Sequence, residues 1–226
     1  MKEYSIKDLK KFDIFADCTT EQLKMLQSSI YWRTYKKGQF LFVEQDPRER
    51  IYFLLKGYVK LSKFNEGGRM TYHNYMKPYN AFPYRGLFVD HTYHFSAEAV
   101  TDLELFYIPT HVFEDLLKRN KNHLIQVIAS LSDILKNHES RVQQLPNAHH
   151  RVYQTVYHLM VDLGKEDGKF VVIDCPMTTT EIAGIAGTSR ETVSQVFKHL
   201  KAECVMSSEK KKLIIHKPSF FHEYAS

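Results

Sequence analysis

Apolar side chains recur along this chain with three different periods, and each period predicts a different kind of element. Over residues 6–31, Leu9, Phe12, Phe15, Leu23, Leu26 and Ile30 stand at helical spacings, which predicts a helical leading segment with those residues inward. Over 33–109 the pattern shortens to β-rich runs: Phe40-Leu-Phe-Val43, Ile51-Tyr-Phe-Leu-Leu55, Tyr58-Val-Lys-Leu61, Met70-Thr-Tyr-His-Asn-Tyr75, Ala97-Glu-Ala-Val100 and Leu103-Glu-Leu-Phe-Tyr-Ile108. Lys37-Gly38, Asp46-Pro47, Gly57, Gly67-Gly68 and Lys77-Pro78 punctuate them, and many short strands with regular turns predict an antiparallel sandwich or roll.

Residues 122–145 return to a helical period of another sort. Leu124, Ile128, Leu131, Leu135, His138, Val142 and Leu145 alternate at spacings of four and three, the a/d seam of a helix that pairs with a copy of itself. Val127 and Ile134, beside the seam, are expected to pack on the helix's own domain instead. His138 is the polar member of the seam, and polar groups at such positions cost stability while setting register or sensing a ligand. Pro146-Asn147 ends the helix as a hinge. A further helix is predicted over 148–163 with Val152, Val156, Leu159 and Leu163 inward.

The most informative pattern lies at 177–200: Met177-Thr-Thr-Thr-Glu-Ile-Ala-Gly-Ile-Ala-Gly-Thr-Ser-Arg-Glu-Thr-Val-Ser-Gln-Val-Phe-Lys-His-Leu200. Thr178 and Glu181 have capping-box spacing, Ile182, Ala183 and Ala186 give a small inner side, and Gly187 supplies a sharp turn. Ser189 caps a second helix whose Val193, Val196, Phe197 and Leu200 form one buried stripe. The opposite stripe holds Arg190, Glu191, Ser194, Gln195 and Lys198, each able to hydrogen-bond a base edge or a phosphate, as a helix entering the major groove must. An ordinary helical hairpin with a solvated polar face is the plainer alternative. Residues 205–216 then predict a short hairpin whose tip carries Lys210, Lys211 and Lys212, as a wing touching phosphates would.

The 226 residues suit two domains, and 43% hydrophobic with 13% aromatic content is ample for packed cores. A net charge of +5 favours an anionic partner without requiring one. Cys18, Cys175 and Cys204 form no CxxC pair, so neither a metal site nor a disulfide framework is expected, and a reducing cytoplasm fits. The opening Met1-Lys2-Glu3-Tyr4 lacks the apolar run of a signal peptide, and no stretch is long and apolar enough to span a bilayer, so no membrane partner is expected.

A β-roll, a long helix and a winged helix-turn-helix in that order resemble the Crp/Fnr family of bacterial transcription regulators, and the likeness covers essentially the whole chain. Its most specific piece is Glu181-Ile-Ala-Gly-Ile-Ala-Gly-Thr-Ser-Arg-Glu-Thr-Val-Ser194; Lys37-Gly38, Asp46-Pro47, Ile51-Tyr-Phe-Leu-Leu-Lys-Gly57 and Gly86-Leu-Phe88 match more loosely. The resemblance implies an α+β chain: an amino-terminal antiparallel, jelly-roll-like β-roll over 1–121, a dimerisation helix and hinge over 122–146, and a winged helix-turn-helix over 147–226. It implies a homodimer on a pseudo-palindromic site in double-stranded DNA, with half-sites about 34 Å apart, and contact with RNA polymerase to activate transcription, or occlusion to repress it. By carry-over, Glu191 accepts from a cytosine amino group, Arg190 meets guanine or a phosphate, and Ser194 lies near a thymine. Gln195, where the family usually has arginine, favours adenine. Thr178, Ser189 and the wing lysines are expected to set orientation through phosphates.

Departures from the family bear on the effector. Where its cyclic-AMP receptors carry Gly-Glu, this chain has Pro83-Tyr84, and the Arg-Ser region reads Tyr93-His94-Phe95. Proline offers no N–H, tyrosine no carboxylate, and the phosphate-neutralising arginine is missing. Cyclic AMP is therefore not expected as effector, and with Cys18 alone near the amino terminus neither is an iron–sulfur cluster. Tyr72, Tyr84, Tyr93, His94 and His138, with the aromatics around them, either form a pocket for another effector or simply fill the roll; filling is favoured. Two rival functions remain: a small-molecule or cyclic-nucleotide sensor module without DNA binding, and a cupin-like metalloenzyme, for which His91 and His94 are a poor ligand set. No catalytic constellation is expected.

Overall fold

The computed structural model describes residues 6–64, 70–142 and 147–224, with the side chains of 6–7, 70–73 and 136–142 outside that description. The chain forms two compact units, Met1–Asn137 and His138–Ser226.

The first unit begins with three short helices, α1 (Ile6–Leu9), α2 (Asp13–Ala16) and α3 (Thr20–Gln27). The expected continuous helix is interrupted because Thr19 restarts it: its hydroxyl accepts from Gln22 N and the Gln22 amide oxygen accepts from Thr19 N, a reciprocal capping box. Tyr31 is not helical but opens a strand. The strands are β1 (Tyr31–Tyr35), β2 (Phe40–Phe42), β3 (Arg50–Lys56), β4 (Val59–Phe64), β5 (Met70–Met76), β6 (Ala81–Phe82), β7 (Ser96–Ala99) and β8 (Leu103–Pro109). They make two antiparallel four-stranded sheets, in the orders β1-β8-β3-β6 and β2-β7-β4-β5.

The near-continuous apolar runs of β3 and β8 follow from burial on both faces. Tyr52, Leu54, Leu103, Leu105 and Tyr107 point into the space between the sheets. Ile51, Phe53, Phe106 and Ile108 alternate with them and pack against Phe12, Phe15, Phe113 and Leu117 of the helical layer. Phe53 and Phe106 stack with ring centres 4.7 Å apart, and Phe12 meets both rings edge-on.

Helix α4 (Thr110–Arg119), which the sequence pattern does not single out, buries Phe113 and Leu117 and leads into α5 (Lys121–Val142). His123 and Val127 are 1% and 3% exposed, and Leu124 packs partly against the same core. That packing ties the amino-terminal part of α5 to the roll, which is why the first unit runs on to Asn137 instead of stopping at 121. Ile134, expected to pack on the roll, is 39% exposed.

In the second unit, α6 (Ala148–Leu163) is capped by the Asn147 side-chain oxygen, which accepts from His149 N and His150 N. It buries Val152, Val156, Leu159 and Leu163 as the period predicts. Strands β9 (Gly164–Asp167) and β10 (Phe170–Ile173), which the sequence pattern does not predict, follow. Then come α7 (Thr179–Ala186), α8 (Arg190–Ala202), the hairpin β11 (Met206–Glu209) and β12 (Lys212–Ile215), and α9 (Pro218–His222). The sheet order is β11-β12-β10-β9, so the hairpin is the outer half of a four-stranded sheet. Its two-residue turn, Lys210-Lys211, has positive φ at both positions, 48° and 67°, the geometry that matches the twist of the flanking strands.

Candidate nucleic-acid interface

Helix α7 starts on the predicted capping box: Thr178 N donates to Glu181 Oε2 (2.8 Å) and Glu181 N to Thr178 Oγ1 (3.2 Å). It stops at Gly187, whose φ of 58° is left-handed and whose absent Cβ would meet nothing within 4 Å. Glycine is needed there for backbone handedness, not for close approach. Ser189 Oγ accepts from Thr192 N at 3.1 Å and starts α8.

Every apolar position of α8 falls where its period places it: Val193, Val196, Phe197 and Leu200 are buried. Arg190, Glu191, Ser194, Gln195 and Lys198 are all exposed on the opposite side. The structure therefore brings these five together on one face, backed by core. Thr178 and Ser189 stand at the two helix starts, with hydroxyls engaged as caps; Thr178 Oγ1 also donates to Glu181 Oε2 at 2.9 Å. Both expected phosphate contacts would have to share an oxygen already bonded to a backbone N–H.

The wing lysines separate into two kinds. Lys210 and Lys211 occupy the exposed turn. Lys212 lies on β12 and its Nζ is 2.7 Å from Asp174 Oδ1, while Lys165 Nζ is 3.1 Å from Asp174 Oδ2. The Lys212 hydrogen bond, aided by Lys165, holds the Asp174 carboxyl below its ordinary range. Lys212 thus closes an exposed ion-pair fork with Asp174, which a phosphate contact from the same Nζ would have to share.

Several positioning groups carried no signal in the sequence. Arg151, on α6, donates from Nε to Ala186 O and from Nη2 to Gly187 O, both at 3.1 Å. It thereby grips the carboxyl end of α7, where a cation is favoured by the helix dipole. Lys201 Nζ donates to Ser208 Oγ at 2.7 Å and joins α8 to the wing strand, while His216 Nε2 and Ser207 Oγ lie 2.9 Å apart across the hairpin.

Of the expected effector residues whose side chains are described, Tyr84 and Tyr93 fall in different clusters. Tyr93 lies between the sheets, its ring stacked on Phe42 at 3.8 Å and its hydroxyl donating to Arg50 O while accepting from Arg50 N. Burial pushes its pKa up to about 12. Tyr84 belongs to the other cluster, on the helical side, stacked with Phe113, and burial raises its pKa too. His94 Nε2 is 2.7 Å from Asp90 Oδ2. Tyr72 and His138 lie outside the described side chains. The separation has a simple cause: Tyr84 follows β6 and turns toward α4, while Tyr93 joins Phe42, Tyr52, Phe82 and Phe95 in filling the inter-sheet space, in line with the filling alternative. Cys18 and Cys175 are buried and Cys204 exposed; Cys18 Sγ sits 3.2 Å from His123 Nε2.

Along the expected seam, Ile128, Leu131 and Leu135 are 60%, 37% and 59% exposed. Leu124 instead leans into the roll, and Ile125, 51% exposed, takes its place at the amino-terminal end of the exposed row. Val142 and Leu145, like His138, fall outside the described side chains. Among the described residues no helix is long and apolar enough to cross a membrane.

Comparison with known proteins agrees with this organisation. A cyclic nucleotide-binding domain model matches residues 32–120, and a Crp-like helix-turn-helix domain model matches residues 151–223. The chain is 31% identical to the Global nitrogen regulator of Nostoc sp. over 193 residues, covering 82% of this chain and 85% of that protein. It is 29% identical to the HTH-type transcriptional regulator ArcR of Staphylococcus epidermidis over 193 residues, 84% of each. Among solved structures, TTHA1359 of Thermus thermophilus, a transcriptional regulator of the CRP/FNR family, is 27% identical with a TM-score of 0.64 and spans 86% of this chain and 98% of that one. With its β-roll, its helix-turn-helix and wing, and relatives that are themselves transcriptional regulators, the chain belongs to the Crp/Fnr family of DNA-binding transcription regulators.

Proposed function

We propose that the protein regulates transcription as a homodimer joined through α5, laying α8 of each protomer into successive major grooves of a pseudo-palindromic promoter site and contacting RNA polymerase when it activates. The observation that carries the DNA half of this reading is the face of α8. Five exposed groups with base- or phosphate-bonding chemistry stand on a stripe whose reverse is fully packed, so the helix surface is rigid where it must be read against DNA. Glu191 fixes a G·C pair through the cytosine amino group, Arg190 meets guanine or a neighbouring phosphate, and Gln195 shifts its position toward adenine. Lys198, Lys210 and Lys211 supply the salt-dependent phosphate term. The row Ile125, Ile128, Leu131 and Leu135, each more than a third exposed on a single helix, supports pairing with a second copy.

This regulator works without cyclic AMP. The residues at the family's nucleotide position do not fit a cyclic phosphate: Pro83 lacks an N–H, Tyr84 is turned into the helical layer, His94 is held by Asp90, and Tyr93 and Phe42 stack in the inter-sheet space. Nor does any assigned role require an iron–sulfur cluster or a catalytic step. Selection of sites from random DNA, followed by gel shift with and without cyclic AMP, tests the whole reading. A palindromic site whose affinity is unchanged by the nucleotide is expected. Binding indifferent to sequence, or dependent on the nucleotide, overturns it.

A further inference from the structure

The first unit carries a cleft of about 740 Å³ at the end of the roll, where β3, β8, α4 and the loop 86–91 meet and where Tyr107 of the inter-sheet core borders it. One of its walls is Arg48, only 6% exposed. Nη1 of Arg48 donates to Glu114 Oε1 at 3.1 Å, and the same carboxylate oxygen accepts from Phe88 N at 2.9 Å. The other edge of the guanidinium is different: Nε and Nη2 are buried and have no hydrogen-bond partner, and neither does Oγ1 of Thr110, which lines the same cleft. A buried guanidinium with an empty edge is costly. The empty edge is also the one that takes two oxygens side by side, as a carboxylate presents them.

The rest of the lining narrows the ligand. Tyr31, 42% exposed, stacks on the buried Tyr107 at 5.1 Å, and Arg50 lies 4.8 Å over the Tyr107 ring, so the aromatic part of the wall is the Tyr31 ring with a cation close by. Phe88 and Val89, 46% and 76% exposed, add an apolar lip. Glu49, Asp90 and Glu114 also line the cleft beside Arg48 and Arg50, and this charge balance opposes a doubly charged phosphate more than a singly charged ligand. We propose that this cleft binds a small organic monocarboxylate, its two oxygens on the Nε–Nη2 edge of Arg48 and its apolar body against Tyr31 and Phe88. Both nitrogens are shielded in the present arrangement, so ligand binding requires a local shift of the residues that cover them.

The test titrates the full-length protein with phenylacetate, with its uncharged counterpart phenylacetamide and with inorganic phosphate, following binding by saturation-transfer NMR. Phenylacetate is expected to bind in the millimolar range or tighter and both controls about tenfold more weakly. Arg48→Lys, which keeps the charge but loses the fork, is expected to weaken phenylacetate binding about tenfold as well. In the wild-type protein, intermolecular NOEs should connect the phenylacetate ring to Val89 and Tyr31; this arm stands even if the Arg48 variant fails to fold. Absence of phenylacetate binding, equal binding of the amide, preference for phosphate, an unweakened Arg48→Lys variant, or NOEs to other residues would each overturn the proposal.

Discussion

Replacing Arg151 by methionine tests how the recognition helix is aimed. The substitution keeps most of the aliphatic stem and deletes the guanidinium that donates to Ala186 O and Gly187 O, both at 3.1 Å. Hydrogen bonds from a charged donor are worth about 1.5–3 kcal/mol when shielded. The bond to Ala186 is part-buried and the one to Gly187 exposed, so the second is discounted to about 0.5–1 kcal/mol. The sum is about 2–4 kcal/mol for the second unit, which in a domain of this size lowers the midpoint of thermal unfolding by roughly 10 °C or more. Calorimetry on the full chain reads it directly.

The same variant separates positioning from direct contact. If Arg151 holds the turn and touches no phosphate, operator affinity falls while the slope of log K against log salt stays unchanged. Loss of a phosphate contact would instead reduce that slope by about one. Arg151→Lys, with a single point donor in place of the fork, should recover less than half of the lost stability. A methionine variant with unchanged unfolding and unchanged operator affinity would refute the grip; a reduced salt slope with unchanged stability would convert Arg151 into a DNA ligand.

Four further outcomes follow from the geometry. Gly187→Ala meets no atom within 4 Å, so its cost is the left-handed backbone alone, about 1–2 kcal/mol by thermal unfolding, and a loss above roughly 4 kcal/mol would point to a clash instead. Ile128→Asp with Leu135→Asp places two charges on the exposed row of α5 and should leave a monomer in sedimentation equilibrium with intact secondary structure; a surviving dimer would move the interface elsewhere. His123 is 1% exposed, and burial lowers its pKa from the ordinary histidine value, so the unfolded chain binds the proton first as the pH drops. The first unit should therefore keep its full stability above about pH 6.5 and lose it progressively below, as urea melts followed by the single tryptophan, Trp32, will read; His123→Gln should flatten that dependence, and an unflattened profile would place the proton elsewhere. Gln195→Arg should move one half-site position from adenine toward guanine in site selection, and an unchanged preference would remove Gln195 from the bases.

The parts of the fold that could be read from the sequence are those in which a local period meets a single environment. Helix α8 has one packed side and one wet side, so its pattern gives both the core residues and the reading face. The cap at Thr178 and the turn at Gly187 are equally local. Strand β9, Gly-Lys-Glu-Asp, has no buried residue to alternate and owes its existence to pairing with β10, which no local pattern reports. The leading segment reads as one helix because Leu9 to Ile30 keep a helical rhythm across a break set by a cap. Tyr84 and Tyr93 suggest one pocket because both are aromatic and near each other in sequence, yet a residue after a two-residue strand has no period to say which side of the sheet it takes. Arg151 and its carbonyl partners are 35 and 36 residues apart, and nothing in an arginine on an amphipathic helix announces such a bond.

These differences bear on how specificity is carried. The devices that fix α8 are a glycine turn, the Arg151 grip, the Lys201–Ser208 bond and a buried stripe of four side chains, and none of them uses Arg190, Glu191, Ser194 or Gln195. The scaffold therefore tolerates change at the reading positions without altering the angle at which they are presented. Gln195 is such a position: it is exposed, none of these devices uses it, and under the proposed reading a change there alters only the donors and acceptors offered to the groove. The opposite holds for the roll, where Phe42, Tyr52 and Tyr93 are at once the core and the occupants of the inter-sheet space. Enlarging that space for an effector would remove aromatic area the two sheets need to stay together, at about 3–5 kcal/mol for each large aromatic truncated. The proposed ligand site at Arg48 avoids that loss, because the guanidinium edge it uses is buried but unpartnered and no core aromatic has to be truncated.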